Sequence, residues 1–313
     1  MTFDIAGLKA SGQGALERAG KRPRQLVMLY ALVAGGVGLL CSLLGWVLSR
    51  QMDTATGLSG LGTRSALMAT QAVVSIVVAV TSPLWDAGYM VTMLDVYRGK
   101  ETGPRRLLWG FVQWKRMLVC GVFLLLQMFV MSYLALMVSE MVYMLSPFSA
   151  SLDLTVVEQA LVTGDASAVY RQMLPMLILA AVAVCAVVVY LLFRYQLVYY
   201  IMEDYPDIPG RRLLGASAVL IRGMKGQFFR LYLSYWWYFV LCLVGMVIPY
   251  LDVLLELAGI RLPVNGDLLA AGLYAVYLVF TCGVQILWKN QVQCSLAAAY
   301  TRLREERMSE TKA

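Results

Sequence analysis

Apolar runs long enough to cross a bilayer recur along this chain, and no other feature restricts its fold as much. A hydrocarbon core about 30 Å thick needs about 20 apolar residues in a helix. Residues 25–49, 66–94, 117–137, 173–193, 231–251 and 268–288 each meet that requirement. Lipid offers no partner to backbone N–H and C=O groups, so only helices and closed barrels cross it. These runs lack the polar alternation of a barrel strand, which leaves an all-α polytopic bundle of about six spans. Composition agrees, with 60% hydrophobic and 14% charged residues against about 45–50% and 25% in soluble domains.

The basic residues give the predicted helices a direction. They cluster before the first run (Lys9 to Arg24), between the second and third (Arg98 to Arg116), between the fourth and fifth (Arg194 to Arg230), and after the sixth (Lys289 to Lys312). Of the 26 Lys and Arg, Arg50, Arg64, Arg171 and Arg261 alone fall on the other side. Basic loops stay cytosolic, so both termini are expected there. The expected organisation is a cytosolic segment over 1–24, a six-span domain over 25–288 and a cytosolic tail over 289–313. The hydrophilic start and long first run argue against a cleaved signal peptide. The net charge of +7 is then a topology signal, not the footprint of nucleic-acid binding. Within the first run, Ala34, Gly38 and Ser42 recur at the spacing of a close helix contact.

One cytosolic connection is amphipathic. Over 210–230, a helical wheel gathers Leu213, Leu214, Leu220, Ile221, Met224 and Phe228 in one arc and sets Arg211, Arg212, Arg222 and Lys225 opposite. That pattern suits an interfacial helix with its apolar face in the membrane and its cations toward anionic headgroups. Gly223 and Gly226 predict a break before the next span. A plain connector whose cations only set topology fits the same residues.

The order Ser217, Leu220, Ile221, Gly223, Lys225, Phe229, Leu231, Leu233, Ser234, Tyr235 resembles the signature of an uncharacterised family of integral membrane proteins common in Gram-positive bacteria. "SPLWDAGYMVTMLDVYRGKE" from Ser82, "YYIMEDYPD" from Tyr199 and "AAAYTRLRE" from Ala297 are similar to further segments of that family. Tyr238 stands where the family places tryptophan, and its Ile-Pro-Gly in the fourth span has no counterpart. The resemblance implies a bacterial plasma-membrane fold and no catalytic residue.

Charges inside spans are the default place to look for function. Asp86 and Arg194 fall near the same boundary of their runs, where they are expected either to pair or to reach the headgroups separately. Pro83 removes a backbone bond one turn before Asp86 and predicts a kink, with Thr81 or Ser82 serving a freed carbonyl. Glu203, Asp204 and Asp207 are expected to cap the amphipathic helix and balance its arginines, with a divalent ion as the other reading.

The chain has no histidine, which removes the commonest general base and metal ligand. It also has no nucleophile elbow, phosphate loop or metalloprotease helix. The six cysteines fall in or beside the runs without a CxxC pair. No catalytic residue, metal site or cofactor is expected. The expected role is a non-catalytic scaffold or accessory component using its basic surface, with the bilayer, a second copy or a membrane complex as partner. The rival is a small permease with a path near Pro83, Asp86 and Arg194.

Overall fold

A computed structural model describes residues 4–33, 35–37, 44, 57–147, 166–251 and 266–310. The elements are α1 (Ile5–Ala19), α2 (residues 22–33), α3 (Gly57–Tyr97), a 3₁₀ turn (Pro104–Leu108) running into α4 (Trp109–Val112), α5 (Trp114–Leu145) and α6 (Ala166–Tyr195). Then come α7 (Val198–Asp204), α8 (Gly210–Leu220), α9 (Lys225–Leu233), α10 (Trp236–Val247), α11 (Gly266–Val284) and α12 (Asn290–Glu310). A π-helical turn, Gln285–Lys289, joins the last two. No strand occurs among the described residues.

Four helical stretches are long and apolar enough to span a membrane: Arg64–Tyr97, Trp114–Leu145, Met173–Asp204 and Ala271–Arg307. The pair α9 and α10, bent by 66°, makes a fifth if read as one broken span. Residues 22–33 and 35–37 of the first predicted run's neighbourhood are helical. Ala34, Gly38 and Ser42 of that run lie outside the described residues.

The chain divides into two compact units. The first comprises Met1–Met117, Tyr199–Asp207 and Gly226–Ala313. Its centre is the segment read from sequence as a cytosolic tail: within α12, every residue from Cys294 to Tyr300 is buried. The amphipathic α1 lies on α12 through a stripe of Leu8, Gly12 and Ala15, the i, i+4, i+7 spacing of one helix face. Gly12 permits the approach, because a Cβ there would come within 3.0 Å of the Ser295 backbone nitrogen. Lys9 fastens the same helix by donating to the Ser234 carbonyl at 2.9 Å, with its ammonium over the Tyr235 ring. The first and last helices, α1 and α12, therefore form one packed body.

Within this unit α3 is buried from Val91 to Val96, and the 3₁₀ turn and α4 fold back against it. Two glycines allow that contact reciprocally. A Cβ on Gly88 of α3 would overlap the Leu107 carbonyl, and one on Gly110 of α4 would overlap the Leu84 carbonyl.

The second unit comprises Leu118–Val198 and Ile208–Lys225. Here α8 packs on α6, and the Ser217 hydroxyl donates to the Arg194 carbonyl at 3.1 Å. That carbonyl is among the last four of α6, which lack intrahelical donors. The break expected near Gly223 is present: residues 221–224 form a turn, with Gly223 at φ 82°.

Pro83 lies inside a helix that runs on without interruption, and Pro175 lies inside α6. The Thr81 hydroxyl donates to Val77 at 2.8 Å and, at 3.4 Å, to Val78. Neither is the Ala79 carbonyl whose amide partner Pro83 removes.

Candidate functional site

Charged residues of the first unit converge where α3, the 3₁₀ turn, α7 and α12 meet. Asp204, at the end of α7 and 6% exposed, accepts two hydrogen bonds from Arg98, each 2.7 Å. This is the bidentate guanidinium–carboxylate geometry that is both stronger and more directional than a single contact. The Tyr300 hydroxyl donates to the same carboxylate at 2.8 Å, and Arg304 lies 3.1 Å from it. Paired hydrogen bonds to Asp204 push the Arg98 guanidinium above its ordinary value, so it stays cationic.

A second carboxylate, Asp95, 5% exposed on the buried stretch of α3, accepts from Arg106 Nε at 2.7 Å, while Arg106 also reaches Glu203. Lys100 approaches Asp95 at 3.4 Å. Tyr200 and Tyr300 stack at 5.1 Å under the Asp204 group, and Arg116 donates to the Tyr205 carbonyl at 3.1 Å. The cluster thus binds the end of α3, the turn after it, the short helix α7 and the last helix into one structure.

This arrangement corrects the expected role of the acidic residues. Glu203 and Asp204 neutralise arginines of the second connection and the last helix, not those of the amphipathic segment. The N-cap of α8 is Pro209, with no side-chain cap bond. Among the described residues no group of three or more His, Cys, Asp or Glu is placed to hold a metal ion.

Asp86 and Arg194 are each satisfied by other groups than the partner the sequence suggested. Asp86 accepts from the Tyr30 hydroxyl at 2.5 Å and from Lys289 at 3.4 Å. The Lys289 ammonium sits 3.9 Å from the Tyr30 ring centroid and 5.0 Å from that of Tyr89. The Tyr89 hydroxyl donates to Asn290 at 2.6 Å, and the Asn290 amide donates to the Pro23 carbonyl at 3.2 Å. Lys289 ends the π-helical turn, a feature that often marks functional places in helices. On that same helix the buried side-chain oxygens of Thr281 and Gln285 have no hydrogen-bond partner. Arg194 instead approaches the Tyr190 hydroxyl at 3.5 Å and the Tyr195 ring at 5.5 Å.

The amphipathic segment differs from expectation on its apolar side. Leu213, Leu214, Ile221, Met224 and Phe228 are all less than 8% exposed within the protein itself, and Leu220 is half-buried. Protein therefore covers the face that was expected to enter lipid. Arg211, Arg212 and Arg222 remain exposed, and Lys225 is half-buried. The result is a braced basic ledge, not a free amphipathic helix.

Sequence reasoning missed Lys289, Tyr30 and the Arg98–Asp204 pair. The one available signal was an excess of acids in "MED" opposite three basic clusters, which demands pairing without choosing among the arginines. Comparison with protein-family models, with curated proteins and with solved structures found no match to this chain.

Proposed function

We propose that the chain is a non-catalytic, multi-pass protein of a bacterial plasma membrane, a scaffold or accessory component that presents a fixed basic surface to anionic headgroups or to a membrane partner. Both termini lie in the cytosol, six spans cross the bilayer, and the chain belongs with the uncharacterised Gram-positive family it resembles. The observation that carries the functional reading is the ledge: Arg211, Arg212 and Arg222 are exposed on an element whose apolar residues Leu213, Ile221 and Met224 are buried. Cations held this way stay at one height without spending their binding on folding a free helix. Each contributes about 1 kcal/mol near an anionic surface. Spin-labelled phosphatidylglycerol and phosphatidylcholine, added to bilayers containing the full chain, test it. Selectivity for phosphatidylglycerol should fall in the Arg211→Gln, Arg212→Gln, Arg222→Gln triple variant, and unchanged selectivity would overturn the reading.

A permease is the second reading, favoured by the π-helical turn at Lys289 and by Asp86 facing it beside Pro83. Solute flux into proteoliposomes that disappears in Asp86→Asn would replace the first reading with this one.

A further inference from the structure

We infer that Arg194, Lys225 and Tyr190 form a binding site for one phosphate-bearing headgroup, a defined site within the basic surface proposed above and resting on that reading for its place at the membrane boundary. Lys225 Nζ lies 3.3 Å from the Tyr190 hydroxyl oxygen and 4.5 Å from the ring centroid. Arg194 Nη1 lies 3.5 Å from that same oxygen. Two cations thus converge on one phenol oxygen, and among the described residues no carboxylate lies within ion-pair distance of either. Two other convergent pairs of cations among the described residues have carboxylates: Arg98 and Arg304 share Asp204, and Arg106 and Lys100 share Asp95.

The site is built, not incidental. Arg194 is held by its place in the last turn of α6 and by Ser217, which ties that turn to α8. Lys225 follows the turn at residues 221–224, whose Gly223 takes a backbone conformation that other residues rarely adopt. Two like charges facing one oxygen repel each other, and an oxyanion between them removes the repulsion while accepting from Lys, Arg and the phenol O–H together. A phosphodiester offers that charge with several acceptor oxygens, and guanidinium matches its geometry.

The surroundings favour a lipid as the source. Tyr190 is 42% exposed in a helix apolar enough to span a membrane, and Val182 and Val189 beside it are 61% and 46% exposed. An acyl chain lying along that strip would bring its headgroup to Tyr190. Tyrosine is also the residue type that places an apolar ring and a polar tip at this depth.

The test is native mass spectrometry of the full chain extracted in mild detergent and supplied with phosphatidylglycerol. The parent should retain one such lipid. Lys225→Gln and Arg194→Gln should each lower its occupancy about fivefold, the factor matching one surface charge, whereas Lys225→Arg should keep it. Loss of the lipid on adding millimolar glycerol phosphate would support the same phosphate site with a soluble ligand as its source, and persistence would support the lipid. Retention unchanged in Lys225→Gln overturns the inference, and that variant decides alone should Arg194→Gln misfold. The Arg211→Gln, Arg212→Gln, Arg222→Gln triple variant separates this site from the wider surface. It should retain the single lipid even if the surface selectivity proposed above proves absent.

Discussion

Replacing Asp204 by Asn changes one oxygen for one amide group and leaves shape almost intact, so its cost reports the ionic cluster directly. Asp204 is 6% exposed and its bidentate partner Arg98 18% exposed, which places the pair well away from bulk water. Breaking one partner of a buried pair costs about 3–5 kcal/mol, because the surviving charge is left uncompensated. Three features of this site set the value toward the lower end. The amide keeps one accepting oxygen, Arg304 is 31% exposed and can turn to solvent, and Tyr300 retains the Tyr200 carbonyl at 3.3 Å. A loss of about 3 kcal/mol corresponds to a midpoint lowered by about 5 °C in a chain of this size.

The assay follows from the cysteines. Cys294 is fully buried in α12, the helix that carries Tyr300 and Arg304 of the cluster, so in a background lacking the other five its reaction with a thiol dye on heating reports opening of this unit. Arg98→Gln alone should cost less, since Asp204 keeps Arg304 and Tyr300. The double variant should cost clearly less than the two single losses added, by about 0.5–3 kcal/mol of coupling. A shift below about 2 °C in Asp204→Asn, or strict additivity in the double variant, would refute the claim that this pair holds the unit together.

Gly88→Ala and Gly110→Ala should each cost about 1–3 kcal/mol or more of stability and lower the same midpoint, since a Cβ at either position meets backbone and not a movable side chain. A midpoint equal to the parent's in both would show that α4 slides freely on α3. Asp86→Asn and Lys289→Gln should show non-additive losses in thermal unfolding, whereas Asp86→Asn and Arg194→Gln should add. The reverse pattern would restore the pair first suggested by sequence. A reporter fused after Ala313 should read cytosolic and one inserted near Asp153 extracellular. Opposite labelling at either place removes the proposed topology.

The helical class and the approximate places of the long apolar helices were legible because periodicity and length are local properties: the runs at 66–94, 117–137 and 173–193 fall inside α3, α5 and α6. The glycine break was legible for the same reason, and Gly223 carries it. Partner choice was not local. An amphipathic segment has the same wheel whether its apolar face meets lipid or protein, so Leu213 and Ile221 gave no sign that both are buried within the protein. Lys289 read as the first residue of a tail because hydropathy falls there. In the structure the helix continues through a π turn, and the polar residues after it, Asn290, Ser295 and Tyr300, are buried with hydrogen-bond partners. A polar residue is predicted outside only when it lacks such partners, and sequence alone does not supply them.

The two functional readings make different demands on Asp86 and Lys289. Opposed charges 3.4 Å apart, with the ammonium against two tyrosine rings, lower the cost of keeping either charge near apolar helices. A permeating cation would have to displace Lys289 from Asp86, and an anion would have to displace Asp86 and Tyr30 from Lys289. Both displacements break contacts that hold α2, α3 and the π turn together, so transport through this place couples to movement of three elements. The basic ledge carries no such requirement: Arg211, Arg212 and Arg222 are exposed already, and binding there leaves the ionic clusters intact. Within its own unit the ledge rests on the packing of α8 against α6, which suits a surface that is read in place. Loosening of the Asp86–Lys289 pair is the change that would point to transport.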